Sequence, residues 1–161
     1  MTPDYIQQSL DVFPIEFLEI KLLHHTCIGE DVFKDIQINP SDLRRQCERE
    51  SKIRLIGLRQ DYVLSAGNRK KLAEAFINAF SGYIPLFRGI ITLHGQEPPI
   101  ENKRALSLLE EISGIDIHPF HEIWKLKQDR SKPILQQLNT LFEDCYEIIR
   151  KLGDIINALD I

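Results

Sequence analysis

Leu135-Gln-Gln-Leu138-Asn-Thr-Leu-Phe142-Glu-Asp-Cys145-Tyr-Glu-Ile-Ile149-Arg-Lys-Leu152-Gly-Asp-Ile-Ile156-Asn-Ala-Leu159 carries the clearest pattern in the chain. Leu135, Leu138, Phe142, Cys145, Ile149, Leu152, Ile156 and Leu159 alternate spacings of three and four, which places them on one face of an α-helix. Ile134, Leu141, Ile148 and Ile155 add a further column. A stripe this wide belongs to a core-facing bundle helix and not to a thin two-stranded coiled coil. A helix from Pro133 to Leu159 is about 39 Å long at 1.5 Å per residue, more than one short neighbour covers. Either several helices surround it or a second copy of the chain does. The fold class that follows is mainly all-α, a helical bundle.

The preceding segments supply the partners. Asn39-Pro40-Ser41-Asp42 is a helix-start signal, and Leu43, Cys47, Ser51, Leu55, Leu58 and Tyr62 then share a face up to a stop near Gly67. A second long helix starts at Asn68 and turns Leu72, Ala75, Phe76, Ala79, Phe80, Tyr83, Phe87, Ile90 and Ile91 inward. Pro85 predicts a kink about one turn earlier, near Gly82. His94-Gly95 and Pro98-Pro99 close that helix. A shorter helix carries Ala105, Leu106, Leu109 and Ile112 and stops at Gly114; another, with Pro119 in its first turn, packs Phe120, Ile123 and Trp124. Residues 41–161 thus read as one helical bundle domain.

Residues 1–40 read differently, with Pro3, Pro14 and Pro40 as punctuation and two segments of strand character, Ile15–Ile20 and Val32–Ile38. This predicts a short β-containing segment at the N-terminus, like a fragment of an α/β unit. On a strand, Glu16 shares a face with Leu18 and Ile20, while Glu19 lies on the other with Ile15 and Phe17.

Composition narrows the function. Of 161 residues, 43% are hydrophobic and 27% charged, close to the globular average, so the chain has a core to bury. No apolar run approaches the roughly 18 residues of a membrane span, and Met1-Thr2-Pro3-Asp4 has no signal-peptide character, so the expectation is a cytoplasmic protein without a membrane partner. Cys27, Cys47 and Cys145 are odd in number and widely spaced, which fits neither a disulfide framework nor a C-x-x-C site. A net charge of −4 argues against generic nucleic-acid binding. The basic run Arg44, Arg45, Arg49, Lys52, Arg54, Arg59 reads chiefly as a solvated helix face in which Glu48 and Glu50 supply partners, with a phosphate-facing surface as the alternative.

Motifs for chemistry are sparse. There is no G-x-x-x-x-G-K-[ST], no G-x-G-x-x-G and no G-x-S-x-G, so neither a phosphate cradle nor a nucleophile elbow is present. No H-E-x-x-H occurs, His24 and His25 diverge on any regular backbone, and Pro119 separates His118 from His121; neither a metal nor a cofactor is expected. One spacing stands out. Arg88-Gly-Ile-Ile-Thr-Leu-His94 resembles the R-x4-6-H signature of HEPN-type ribonucleases, in which Arg would steady phosphate charge and His would transfer a proton. The structural alternative is a helix end, with His94 beside the negative pole of the dipole.

Asp11–Lys21, Cys27–Asp31, Leu43–Glu50, Leu58-Arg59, Leu86–Pro99 and Lys103-Arg104 together resemble a group of bacterial nucleotidyltransferase-like proteins, over about three quarters of the chain. The resemblance implies a minimal nucleotidyltransferase core followed by a helical domain, similar to the C-terminal bundles of kanamycin-type nucleotidyltransferases and to HEPN partners. It also implies that Glu16 matches the third acidic residue, on the last core strand. The Gly-Ser motif and D-x-D that bind nucleotide and Mg²⁺ in that family do not precede residue 16. Residues 1–40 then correspond to the end of a core and 41–161 to its companion. The expected function is an accessory or interaction domain, inactive alone, whose partner is a nucleotidyltransferase core or a second copy; the alternatives are a HEPN-type ribonuclease using Arg88 and His94 and a structural helical homodimer. The catalytic candidates are Glu16, Arg88 and His94.

Overall fold

A computed structural model describes residues 2–129 and 133–161. Among the described residues it holds seven helices and no strand: α1 Pro3–Ser9, α2 Pro14–Leu23, α3 Pro40–Ser65, α4 Arg69–Leu93, α5 Asn102–Ser113, α6 His118–Asp129 and α7 Leu135–Ala158.

The bundle forms as its sequence periodicity predicts. Asn39 Oδ1 accepts from the Ser41 N–H with Pro40 at the first helical position, so α3 starts capped. It ends at Ala66, a non-glycine residue in the left-handed region at φ 48°, followed by Gly67 at φ 73°. Asn68 then caps α4 through the N–H groups of Lys70 and Lys71. This short connection folds α3 and α4 into an antiparallel pair. Gly89 faces the Cys47 side chain and Gly82 the Arg54 side chain, seven residues apart on each helix. A methyl on Gly89 would come within 2.7 Å of the Cys47 sulfur, so a side chain there would force the helices apart.

α7 runs antiparallel to α3 on another side. Tyr62 stacks on Phe142 at 4.2 Å, the Arg59 guanidinium lies 4.6 Å from the Tyr146 ring centre, and Gly153 faces Ser51. Leu138, Leu141, Cys145, Ile148, Ile149, Leu152 and Ile156 are buried, and α3, α4 and α6 supply the neighbours. Apart from Ile134, 58% exposed, and the partly exposed Ile155, the wide stripe of α7 packs against its own chain. Tyr83, Phe87 and Phe120 form the aromatic centre, with Phe120 edge-on to both other rings. α4, by length and composition alone, is apolar enough to cross a membrane; here its Leu72, Phe76, Phe80, Phe87, Ile90 and Ile91 fill the core. Pro85 stands inside α4 without ending it.

The expected N-terminal β-segment is corrected. Ile15–Ile20 is not a strand but the body of α2, and Val32–Ile38 is a turn-rich loop. The apolar residues of α2 serve two clusters at once, which explains the misleading alternation. Ile15 and Leu18 join the main core, while Phe17 packs with Ile6, Leu10 and Ile36 in a satellite cluster. Pro14 presets the first helical φ, and Glu16 near the N-terminus and Lys21 near the C-terminus suit the dipole. In the second segment, Asp31 Oδ1 accepts from the N–H groups of Phe33 and Lys34, which satisfies that backbone locally and leaves no ladder to form.

Candidate functional site

The polar chemistry of the interior gathers where α2 meets α3 and α4. The first turn of α2 has no cap of its own, and Gln46 of α3 provides one: its Oε1 accepts from the Ile15 N–H at 2.7 Å. The same amide donates through Nε2 to Glu16 Oε2 at 2.7 Å. Gln46 is 5% exposed, so one buried side chain closes two bonds across the helix pair.

One turn along α2, Glu19 meets Arg88 of α4. Nη1 of Arg88 donates to both Glu19 carboxylate oxygens, at 3.1 and 2.8 Å. Nε donates to the Pro99 carbonyl at 3.0 Å, and Nη2 to the Ile100 carbonyl and to Asn102 Oδ1. All three nitrogens of the guanidinium are thereby engaged. Arg88 is 3% exposed. Burial raises the Glu19 carboxyl above its ordinary value, opposed by the charge and hydrogen bonds of Arg88. Arg88 thus ties α2, α4 and the 99–102 connection into α5 together.

Beside this network lies a cleft of about 380 Å³ lined by Glu16, Glu19, Gln46, Glu50, Arg54, Gly82, Pro85 and neighbouring apolar side chains. Arg54 donates to Glu50 at 3.2 Å, and its buried Nε has no partner among the described residues. Three carboxylates against Arg54 and Arg88 leave an acidic excess, a setting for a cationic group and not for a phosphate.

The sequence candidates separate here. Glu16 and Arg88 belong to one junction, linked through the α2 turn that carries Glu19. His94 does not join them. It is the C-cap of α4, its Nδ1 2.9 Å from the Ile90 carbonyl, and it lines none of the clefts described here. Six residues on a helix separate Arg88 and His94 by about 9 Å of rise and about 120° of azimuth. Elsewhere, His24 pairs with Asp31 at 2.8 Å and His118 faces Glu122 at 3.5 Å. No group of three or more His, Cys, Asp or Glu is placed to hold a metal among the described residues. Burial pushes the Cys47 thiol up to about 12 and raises Cys145 as well, so neither is an available thiolate; Cys27 is exposed. Gln46 and Asn102 escaped the sequence reading. The one available signal was a polar residue, Gln46, beside the inward stripe of Leu43 and Cys47.

A second feature lies on the opposite side of α3. Ile53, Ile56, Val63 and Leu64 are 47%, 55%, 73% and 74% exposed, and their spacing makes them one outward ridge. The ridge borders a groove of about 520 Å³ between α3 and α4, with Gly57, Ser65, Ala75 and Ala79 among its lining and Asp61, Lys71 and Glu74 on its walls. Gly57 would meet nothing within 4 Å if it carried a Cβ. The chain matches no protein-family model, no curated protein and no solved structure.

Proposed function

We propose that this chain is a helical interaction domain of the kind that stands beside nucleotidyltransferase cores, working by holding a partner and not by chemistry of its own. The observation that carries this reading is the outward apolar ridge of α3, Ile53, Ile56, Val63 and Leu64. It exposes on the order of 400 Å² of apolar side chain, the size at which an exposed patch commonly marks a binding site. The engagement of Arg88 supports it, because a 3% exposed guanidinium bonded at all three nitrogens to its own chain is not presented to a phosphate. The link to nucleotidyltransferases rests on the sequence resemblance from Asp11 to Arg104.

The test mixes the purified chain with a minimal nucleotidyltransferase core that lacks a helical companion. Sedimentation should show a complex, and labelled ATP with Mg²⁺ should give transfer only when the core is present. Metal-dependent transfer by the chain alone, lost on Glu16→Gln, would overturn the reading. So would RNA cleavage that His94→Ala abolishes in a folded protein, which would replace it with the ribonuclease.

A further inference from the structure

We infer that the α3–α4 groove takes an acidic amphipathic α-helix of a partner protein, a proposal that rests on the interaction reading above and names the partner's chemistry. Shape comes first. The ridge from Ile53 to Leu64 spans eleven residue steps, about 17 Å, or three turns of a helix laid alongside. Gly57 sits in the middle of a 26-residue helix, with an ordinary φ and, among the described residues, no atom where a side chain would go. Glycine there weakens the helix without serving a close approach among the described residues. Together with Ala75 and Ala79 on the facing helix, it opens a floor onto which a second helix can settle closely.

Charge selects the occupant. Residues 40–75 carry nine Lys and Arg against five Asp and Glu, whereas the rest of the chain carries eleven against nineteen. Much of the positive charge lies at the two ends of the ridge: Arg49 and Lys52 at one, Lys70 and Lys71 at the other, where the α3–α4 connection turns. Arg49, Lys52 and Lys70 are exposed and pair with Glu50, Glu48 and Glu74, pairings for which a partner's carboxylates can compete. Lys71 makes no ion pair among the described residues, and Arg59 meets a tyrosine and not a carboxylate. An apolar stripe flanked by carboxylates at both ends matches this surface. A second copy packed ridge on ridge about a twofold near Gln60 would instead set Arg49 and Lys52 of each chain toward Lys70 and Lys71 of the other, a like-charge arrangement. A bilayer or a nucleic acid lays phosphates along the whole groove, beside Asp61 and Glu74, whereas the acidic helix confines its carboxylates to the two ends. The concave floor also suits a helix better than a flat lipid surface.

The experiment uses a labelled synthetic helix of roughly 12–16 residues, Leu and Ile on one face and Glu at both ends of that face, titrated with the full chain by fluorescence anisotropy. Saturable binding is expected, falling with added salt and weaker by about tenfold or more when the Glu residues are replaced by Lys. Gly57→Leu and Ile56→Glu should each weaken binding by a similar factor. Both positions face solvent, and Gly57→Leu improves helix propensity, so circular dichroism should show both variants folded. Binding that neither variant alters would overturn the proposal. Stronger retention on phosphatidylserine vesicles or on RNA, or a sedimentation mass that doubles and is halved by Ile56→Glu, would overturn it in favour of lipid, nucleic acid or a second copy. If the peptide fails while a nucleotidyltransferase core still binds the chain, this inference falls and the interaction reading stands; if the peptide binds and the core does not, the assignment to such cores falls instead.

Discussion

Replacing Arg88 by alanine should destabilise the fold strongly. The guanidinium is 3% exposed and its Glu19 partner's side chain 18%, so the pair is largely removed from water. Truncation leaves the Glu19 carboxylate without its countercharge and strands the Pro99 and Ile100 carbonyls and the Asn102 side chain. Removing one partner of such a pair costs about 3–5 kcal/mol, roughly a fifth or more of a typical domain's stability. With a urea m-value of about 2 kcal/mol/M, the denaturation midpoint should fall by roughly 1.5–2.5 M. Arg88→Lys keeps the charge but has three donors in place of five, so it should recover only part of the loss. The loss should also depend on pH. Without Arg88, nothing offsets the burial that raises Glu19 above its ordinary value near 4.5. A carboxyl raised in the folded state holds its proton there longer than in the unfolded chain, so stability falls as pH rises through the raised value. The deficit of Arg88→Ala should therefore be smaller in acid than at neutral pH. A midpoint within about 0.3 M of the parent would refute the structural role. Were that variant also to lose a ribonuclease activity, Arg88 would belong to chemistry after all.

The helical glycines should differ in sign: Gly89→Ala should destabilise because its methyl meets the Cys47 sulfur, whereas Gly57→Ala should stabilise by about 0.5–1 kcal/mol, both read from urea midpoints. The His24 imidazole, raised above its ordinary value chiefly by its hydrogen bond to Asp31, should titrate above 6.5 by NMR and return toward it in Asp31→Asn. Its contribution to order in the 24–34 loop is present below the unfolded value and lost as pH rises through the raised one, so mobility of that loop should increase on the alkaline side. In α7, Leu152→Ala should cost about 2–5 kcal/mol and Ile149→Asp should prevent stable folding, since both positions are essentially inaccessible; variants as stable as the parent by denaturation would make α7 peripheral.

How much of this was legible follows from where each residue finds its partners. α3 to α7 were readable because each turns an apolar stripe of helical period toward one core, and their ends carry local signals: Asn39, Asn68, Gly95 and Gly114. α2 defeated the same logic. Its ten residues lie between the main core and the Ile6–Leu10–Ile36 cluster, so apolar side chains point in more than one direction and mimic a strand. Arg88 was noticed for its spacing to His94, a relation within one helix. Its partners come from residue 19 and from residues 99–102, contacts that only the folded chain brings together.

The ridge on α3 escaped for a related reason. Leu43, Cys47, Ser51, Leu58 and Tyr62 already supplied an inward face, and Ile53, Ile56, Val63 and Leu64 occupied positions that a solvated helix fills with polar residues. A helix apolar on two sides is either buried on both or unfinished on one. With α4 and α7 covering the inner side of α3 and the outer ridge left in water, the second condition holds for these residues, and Gly57 marks the place on that side where the backbone itself is open to a neighbour.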